Sequence, residues 1–226
     1  MATIRMIEAR LLILYNERVN LSVQHALDCS YYNQGCDGGY PYLVLKYGME
    51  NRFIPETCSQ YKAMNSKCES TCDLDKMPYS YGVVDHSYIG GSYGQCTEKK
   101  IMEEVYKNGP IVVSFEPDYH FMLYKTGIYH SLDEDSWMNQ GLKKPEWQKV
   151  DHSVLLVGWG EDPIAKEKFW ILQNTWGPEW GEKGFFRMKR GTDEMGIESI
   201  CETGTPIVID NSNKIQIPPK ANLILG

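Results

Sequence analysis

Hydrophobic and polar positions divide the chain near residue 80. Before it, apolar residues at Ile4, Ile7, Leu11 and Leu14 keep close to the helical period and predict a helix within residues 2–17. No N-cap or capping box precedes it, so it reads as the interior of a helix already under way. A short second helix is expected after Ser22, whose hydroxyl suits an N-cap. The stretch "YNQGCDGGYPY" follows as a turn-rich loop, with Gly35, Gly38 and Gly39 permitting close backbone approach. Residues 56–78 read as irregular. After Tyr79, runs rich in β-branched and aromatic residues take over. "YSYGVVDHSYIGG", "IVVSFEP", "DHSVLLVGWGED", "FWILQNTW" and "GFFRMKRG" all predict strands. Between the first two, "TEKKIMEEVYKNGP" predicts one helix, capped by Thr97 and stopped at Gly109-Pro110. The expected fold class is α+β, helical first and mostly antiparallel strand afterwards. The polar stretch over residues 131–150 predicts a long exposed loop, and the tail after Pro206 finds no partner in the pattern.

Composition changes this picture in two places. A net charge of −7 argues against nucleic acid, which needs a basic surface. No stretch approaches the roughly 20 apolar residues of a membrane span, and the first residues do not have the form of a signal peptide. The seven cysteines say more. Cys29, Cys36, Cys58, Cys68 and Cys72 crowd one loop-rich region, with Cys96 and Cys201 apart. Such density predicts disulfides and an oxidising compartment reached through the secretory pathway. Only Cys68 and Cys72 have a spacing that zinc would use, and nothing answers them, so no metal is expected. An odd count leaves at least one thiol without an internal partner. Disulfides without a signal peptide imply that sequence upstream of Met1 is missing.

The candidate chemistry lies in "DHSVLLVGWG", from Asp151, and "QNTWGPEWGEKGFF", from Gln173. His152 and Asn174 stand in apolar, aromatic runs, where an unpartnered polar group costs roughly 2–7 kcal/mol. A paired His and Asn suit a thiolate nucleophile, the His as base and the Asn holding its ring. By itself His152 reads first as a satisfied core histidine; the Asn174 and Trp176 of the second block reverse that reading.

"GCDGGYPY", "DHSVLLVGWG" and "QNTWGPEWGEKGFFRMKRG" together resemble the papain family of cysteine peptidases, with Thr175 where the family usually has Ser. The resemblance covers about residues 1–207. "MIEARLLIL", "YIGGSYGQC", "KTGIYH" and "RGTDEMGIESI" are similar to the family's dipeptidyl peptidase I (cathepsin C) branch. It implies a papain-like two-subdomain fold: a helical, disulfide-rich part over about 1–80, an antiparallel β-barrel-like part over about 81–207, and the active-site cleft between them. Residues 208–226 are then a C-terminal extension. The implied activity is a Cys-His-Asn peptidase that removes N-terminal dipeptides. Its nucleophile would lie about three residues before Met1, so the chain alone should be inactive. The alternative is a catalytically dead homologue acting as a binding protein.

The resemblance also assigns residues. His152 and Asn174 are catalytic, and Trp176 shields them. Gly38 and Gly39 offer backbone to the substrate, Asp151 accepts from it through its carbonyl, and Pro41 and Ile197 line the S2 pocket. A chloride ion would sit on Tyr40, Tyr42 and Tyr88. Cys29 would pair with Cys68 and Cys58 with Cys72, while Cys36 would join a cysteine outside this chain; Cys96 and Cys201 have no assignment. Asn20, in Asn20-Leu21-Ser22, is a glycosylation acceptor. Residues 131–150 would be the processing loop. Expected partners are peptide or protein substrates, an upstream exclusion domain and propeptide, and further copies in a tetramer.

Overall fold

The computed structural model describes residues 1–73, 76–131, 149–210, 212 and 214–216. The chain forms two compact units. The first takes residues 3–86 with Met1 and returns at Gly204; the second takes 87–203 with Ala2. The division thus falls at His86/Ser87, and the chain beyond Gly204 rejoins the first unit.

In the first unit, helix α1 (Ala2–Tyr15) ends at Asn16, which takes the left-handed conformation at φ 54° and donates back to Leu12. Asn is one of the few residues that adopts this conformation readily. Ile4, Met6, Ile7 and Leu11 are all buried, a burial worth roughly 1.5–3 kcal/mol for each side chain. Glu8 closes the turn beyond by accepting from the Leu21 amide at 2.7 Å. Helix α2 (Val23–Cys29) starts at Ser22, whose hydroxyl accepts from the His25 amide at 2.8 Å. Two disulfides, Cys29–Cys68 and Cys58–Cys72, tie the irregular stretch that follows; these are the pairs the resemblance implies. Helix α3 (Pro41–Glu50) was not expected. Its signal is Pro41 at the first helical position, where the missing N–H costs nothing.

Strand β1 (Tyr79–Tyr88) and strand β7 (Ile200–Asp210) cross the division. In the second unit, helix α4 (Glu98–Asn108) is capped by Thr97, which accepts from the Lys100 amide, and stops at Gly109 with φ 90°. Ile101 and Val105, one turn apart, are its buried face. All five residues of β2 (Ile111–Phe115) are buried, because β7 and β4 (His152–Glu161) flank it. Strands β5 (Lys168–Gln173) and β6 (Phe185–Lys189) continue the sheet antiparallel.

Two expectations are corrected. The papain-like α+β arrangement is present, but among the described residues the sheet order β1-β7-β2-β4-β5-β6-β3 ends in two edges, so the barrel-like part is an open sheet there. Strand β3 (Ile128–Tyr129) is only two residues long and pairs parallel to β6, too short to bridge back to β1. The residues after Pro206 do have partners: β7 runs on to Asp210 and pairs with β8 (Ile215–Gln216). The 131–150 loop falls, apart from its ends, outside the described residues, as does the tail beyond Gln216.

Candidate active site

His152 opens β4 and Asn174 follows the last residue of β5, so the antiparallel pairing of the two strands brings these ends together. His152 Nε2 lies 2.9 Å from Asn174 Oδ1. The backbone fixes which way the amide points. The Thr175 N–H donates to the same atom at 2.8 Å, and only an oxygen can accept there. The amide oxygen cannot donate, so Nε2 must carry the proton toward it. That leaves Nδ1 as the basic nitrogen of the neutral ring. The Asn174 backbone is itself pinned, its N–H donating to the Gly184 carbonyl at 2.9 Å.

An aromatic shell holds the ring. Trp176 lies 5.0 Å from it at 30°, covering one side, and Phe115 meets it edge-on at 5.6 Å. Phe115 arrives by register, as the β2 residue directly opposite His152. Behind Trp176 stand Phe121 and Trp180, and Phe186 packs against both. Phe121 is fully buried and Asn174 is 7% exposed. This dry surround pushes the His152 pKa down by burial, against smaller upward pulls from Asn174 and Asp151. Phe115, Phe121 and Trp180 were not singled out in the sequence. Their role comes from register and from the short 3₁₀ segment Tyr119–Leu123, which leaves no periodic trace.

The remaining candidates divide between the units. Asp151 is exposed and its amide donates to the Phe115 carbonyl. Ile197 is fully buried, just after the 3₁₀ turn Glu194–Gly196. Tyr88 ends β1 in the second unit, its ring 5.7 Å from Tyr93. Gly38, Gly39, Tyr40, Pro41 and Tyr42 belong to the first unit. Gly39 is a close approach: a Cβ there would meet Asn33 Oδ1 at 2.2 Å, the atom that accepts from the Tyr40 amide. Tyr40 is 65% exposed, and Tyr42 packs on His86 at 4.2 Å. Asn20 is exposed.

A side-chain group found only in the structure is Glu198. Its buried carboxylate accepts from Trp170 Nε1 at 2.8 Å and from the Gly191 and Asp193 amides, while Asp193 accepts from the Glu198 amide and the Ser199 hydroxyl. This lattice fixes a loop in which Asp193 and Met195 both hold positive φ.

The chain matches the papain family of cysteine proteases over residues 1–205. The chain belongs to that family. This papain-family domain is 38% identical over 207 residues to cathepsin C of Schistosoma mansoni, covering 89% of the chain and 44% of that protein. It is 32% identical to dipeptidyl aminopeptidase 1 of Plasmodium falciparum, covering 79% and 35%. It therefore spans less than half the length of either relative. Among solved structures, the bromelain protease of Ananas comosus superposes with a TM-score of 0.72 at 23% identity, over 90% of this chain and 86% of that one, which shows the shared fold. Among the described residues, no helix is long and apolar enough to cross a membrane.

Within this papain-family domain, four of the seven cysteines are in disulfides. Cys96 and Cys201 are buried, and burial raises the Cys201 thiol well above its usual value. Cys36 is exposed on the first unit. The cluster His25, Cys29 and Cys68 has metal-like spacing, but both sulfurs are spent in a disulfide.

Proposed function

We propose that this domain supplies the His-Asn half of a thiol peptidase that removes dipeptides from peptide N-termini. The observation that carries this is the His152 Nε2–Asn174 Oδ1 contact with the amide oriented by Thr175, under Trp176. It leaves Nδ1 to take a thiol proton and later return it to the leaving amine. The thiolate attacks the scissile carbonyl, the amine leaves with the proton from His152, and water then releases the acyl group by the reverse use of the same base. The imidazolium formed in these steps is stabilised by the amide oxygen, and the aromatic shell strengthens that bond by excluding water.

The nucleophile in this reading is a cysteine outside residues 1–226: the disulfides and the buried thiols are unsuited to the role, and the exposed Cys36 stands, by its resemblance to the family, at a disulfide position. Specificity for dipeptides rests on the likeness to the cathepsin C and dipeptidyl aminopeptidase relatives. With it go Gly38, Gly39, Asp151, Pro41 and Ile197 as substrate contacts, a chloride on Tyr40, Tyr42 and Tyr88, and an acidic, lysosomal or secreted setting. The test is kcat/KM of the complete enzyme on a dipeptide amide and on the same substrate with its amine acetylated. Turnover of the first alone supports a dipeptidyl peptidase. Equal turnover of both supports an endopeptidase of the same family.

A further inference from the structure

Seven cysteines, less the four in Cys29–Cys68 and Cys58–Cys72, leave Cys36, Cys96 and Cys201. Two of these three meet in the core of the second unit. Cys96 lies just ahead of the Thr97 cap of α4, and Cys201 is the second residue of β7, with Val113 of β2 opposite it. The Ile89 amide donates to the Cys201 carbonyl at 2.9 Å and so holds the segment after β1 against β7. The turn back from Ile89 to Cys96 is tight: a Cβ on Gly90, at φ 99°, would sit 2.1 Å from the Gln95 carbonyl oxygen. It returns the Cys96 sulfur to within 3.1 Å of the Ile89 carbonyl oxygen and 4.0 Å of the Cys201 carbonyl oxygen, with its side chain toward the Cys201 thiol. Cys201 Sγ also donates to the Ile197 carbonyl at 3.7 Å. Both thiols lie in one apolar core cluster and turn toward each other, and thiols are weak hydrogen-bonding groups.

We infer that Cys96 and Cys201 are the two halves of a third disulfide, made as the chain folds. The oxidant is a small-molecule or protein disulfide. One cysteine thiolate attacks it and expels a thiolate, giving a mixed disulfide; the second cysteine thiolate attacks that and expels the other. One S–S bond forms and one breaks, two electrons pass to the oxidant, and it leaves as two thiols carrying the two cysteine protons. The exchange needs thiolates, so it belongs to the open chain. After folding both sulfurs are buried, at 7% and 0% exposure, and the bond is closed to reductants as well. It would span 105 residues, nearly the whole second unit.

The test is peptide mapping of the protein secreted from a eukaryotic host, alkylated in denaturant without reduction. The expected result is one species joining the Cys96 and Cys201 peptides, lighter by two hydrogens than their sum, and surviving prior treatment of the native protein with mild reductant. Recovery of both peptides alkylated overturns the inference. Cys96→Ser and Cys201→Ser provide a second readout. Each is expected to lower Tm by roughly 5–15 °C, with the double variant no lower than either single one. Losses that add up would overturn the cross-link.

Discussion

Removing the Glu198 carboxylate tests how the loop bearing Ile197 is held. The carboxylate is 7% exposed and accepts three N–H donors, from Trp170, Gly191 and Asp193. Glu198→Ala strands all three in a dry site, at about 1–3 kcal/mol each, and part of this is offset by removing a buried charge. A net loss of about 3–4 kcal/mol follows, which for a chain of this size lowers Tm by roughly 6–16 °C. Glu198→Gln keeps the oxygen that serves Trp170 and Gly191, so its cost at neutral pH stays within about 1 kcal/mol. The two also separate by pH. Burial, with Asp193 nearby, raises the Glu198 pKa above its ordinary 4.5. The folded state therefore keeps a proton that the unfolded state gives up, and stability falls as pH rises from 4.5 through the raised value. Below 4.5 both states are protonated and this penalty is absent. Denaturant melts of both variants and the parent from pH 4 to pH 8 measure it. The parent should lose stability across that window by more than Glu198→Gln does. Equal slopes, or a Glu198→Ala Tm within about 2 °C of the parent, would refute the reasoning.

Three further outcomes are expected. Phe121→Ala, at the hub of the aromatic shell, should cost about 3–5 kcal/mol in denaturant unfolding and change the fluorescence of Trp176 and Trp180, which it touches; a loss under about 1 kcal/mol would place the hub elsewhere. By NMR, the His152 ring should titrate below the ordinary 6.5, and lower still in Asn174→Ala, since Asn174 contributes upward; an unchanged or higher value would mean that the amide does not hold the ring. On secretion from a eukaryotic host Asn20 should carry a sugar, and an unmodified Asn20 peptide by mass spectrometry would remove that assignment.

What the sequence revealed was local. Helices α1 and α4 follow from the apolar period, and Ser22 and Thr97 are caps whose donors lie within three residues. Helix α3 was hidden because the glycines before it dominate the reading and only Pro41 marks its start. The end of β7 was hidden for a different reason: Pro206 reads as a breaker, while the partners that make the segment a strand come from β1 and β2, far away in the chain. Among the described residues the sheet stays open at a two-residue strand that no pattern could have ruled in or out. His152 and Asn174 were legible because three separated motifs agreed. The Thr175 amide that orients the pair, the Phe115 register beneath it and the Glu198 lattice arise from tertiary placement, which single-residue patterns do not carry.

The central claim is that His152 serves a cysteine outside residues 1–226. Its most direct measurement is the site of covalent labelling by an irreversible thiol-directed peptidase inhibitor on the complete, active enzyme, read by peptide mass spectrometry in the parent and in His152→Ala. The account predicts a single labelled cysteine upstream of Met1, with labelling slowed by at least about a hundredfold in His152→Ala as the thiolate loses its imidazolium. Labelling at Cys36, Cys96 or Cys201 that abolishes turnover, or labelling indifferent to His152, would contradict it.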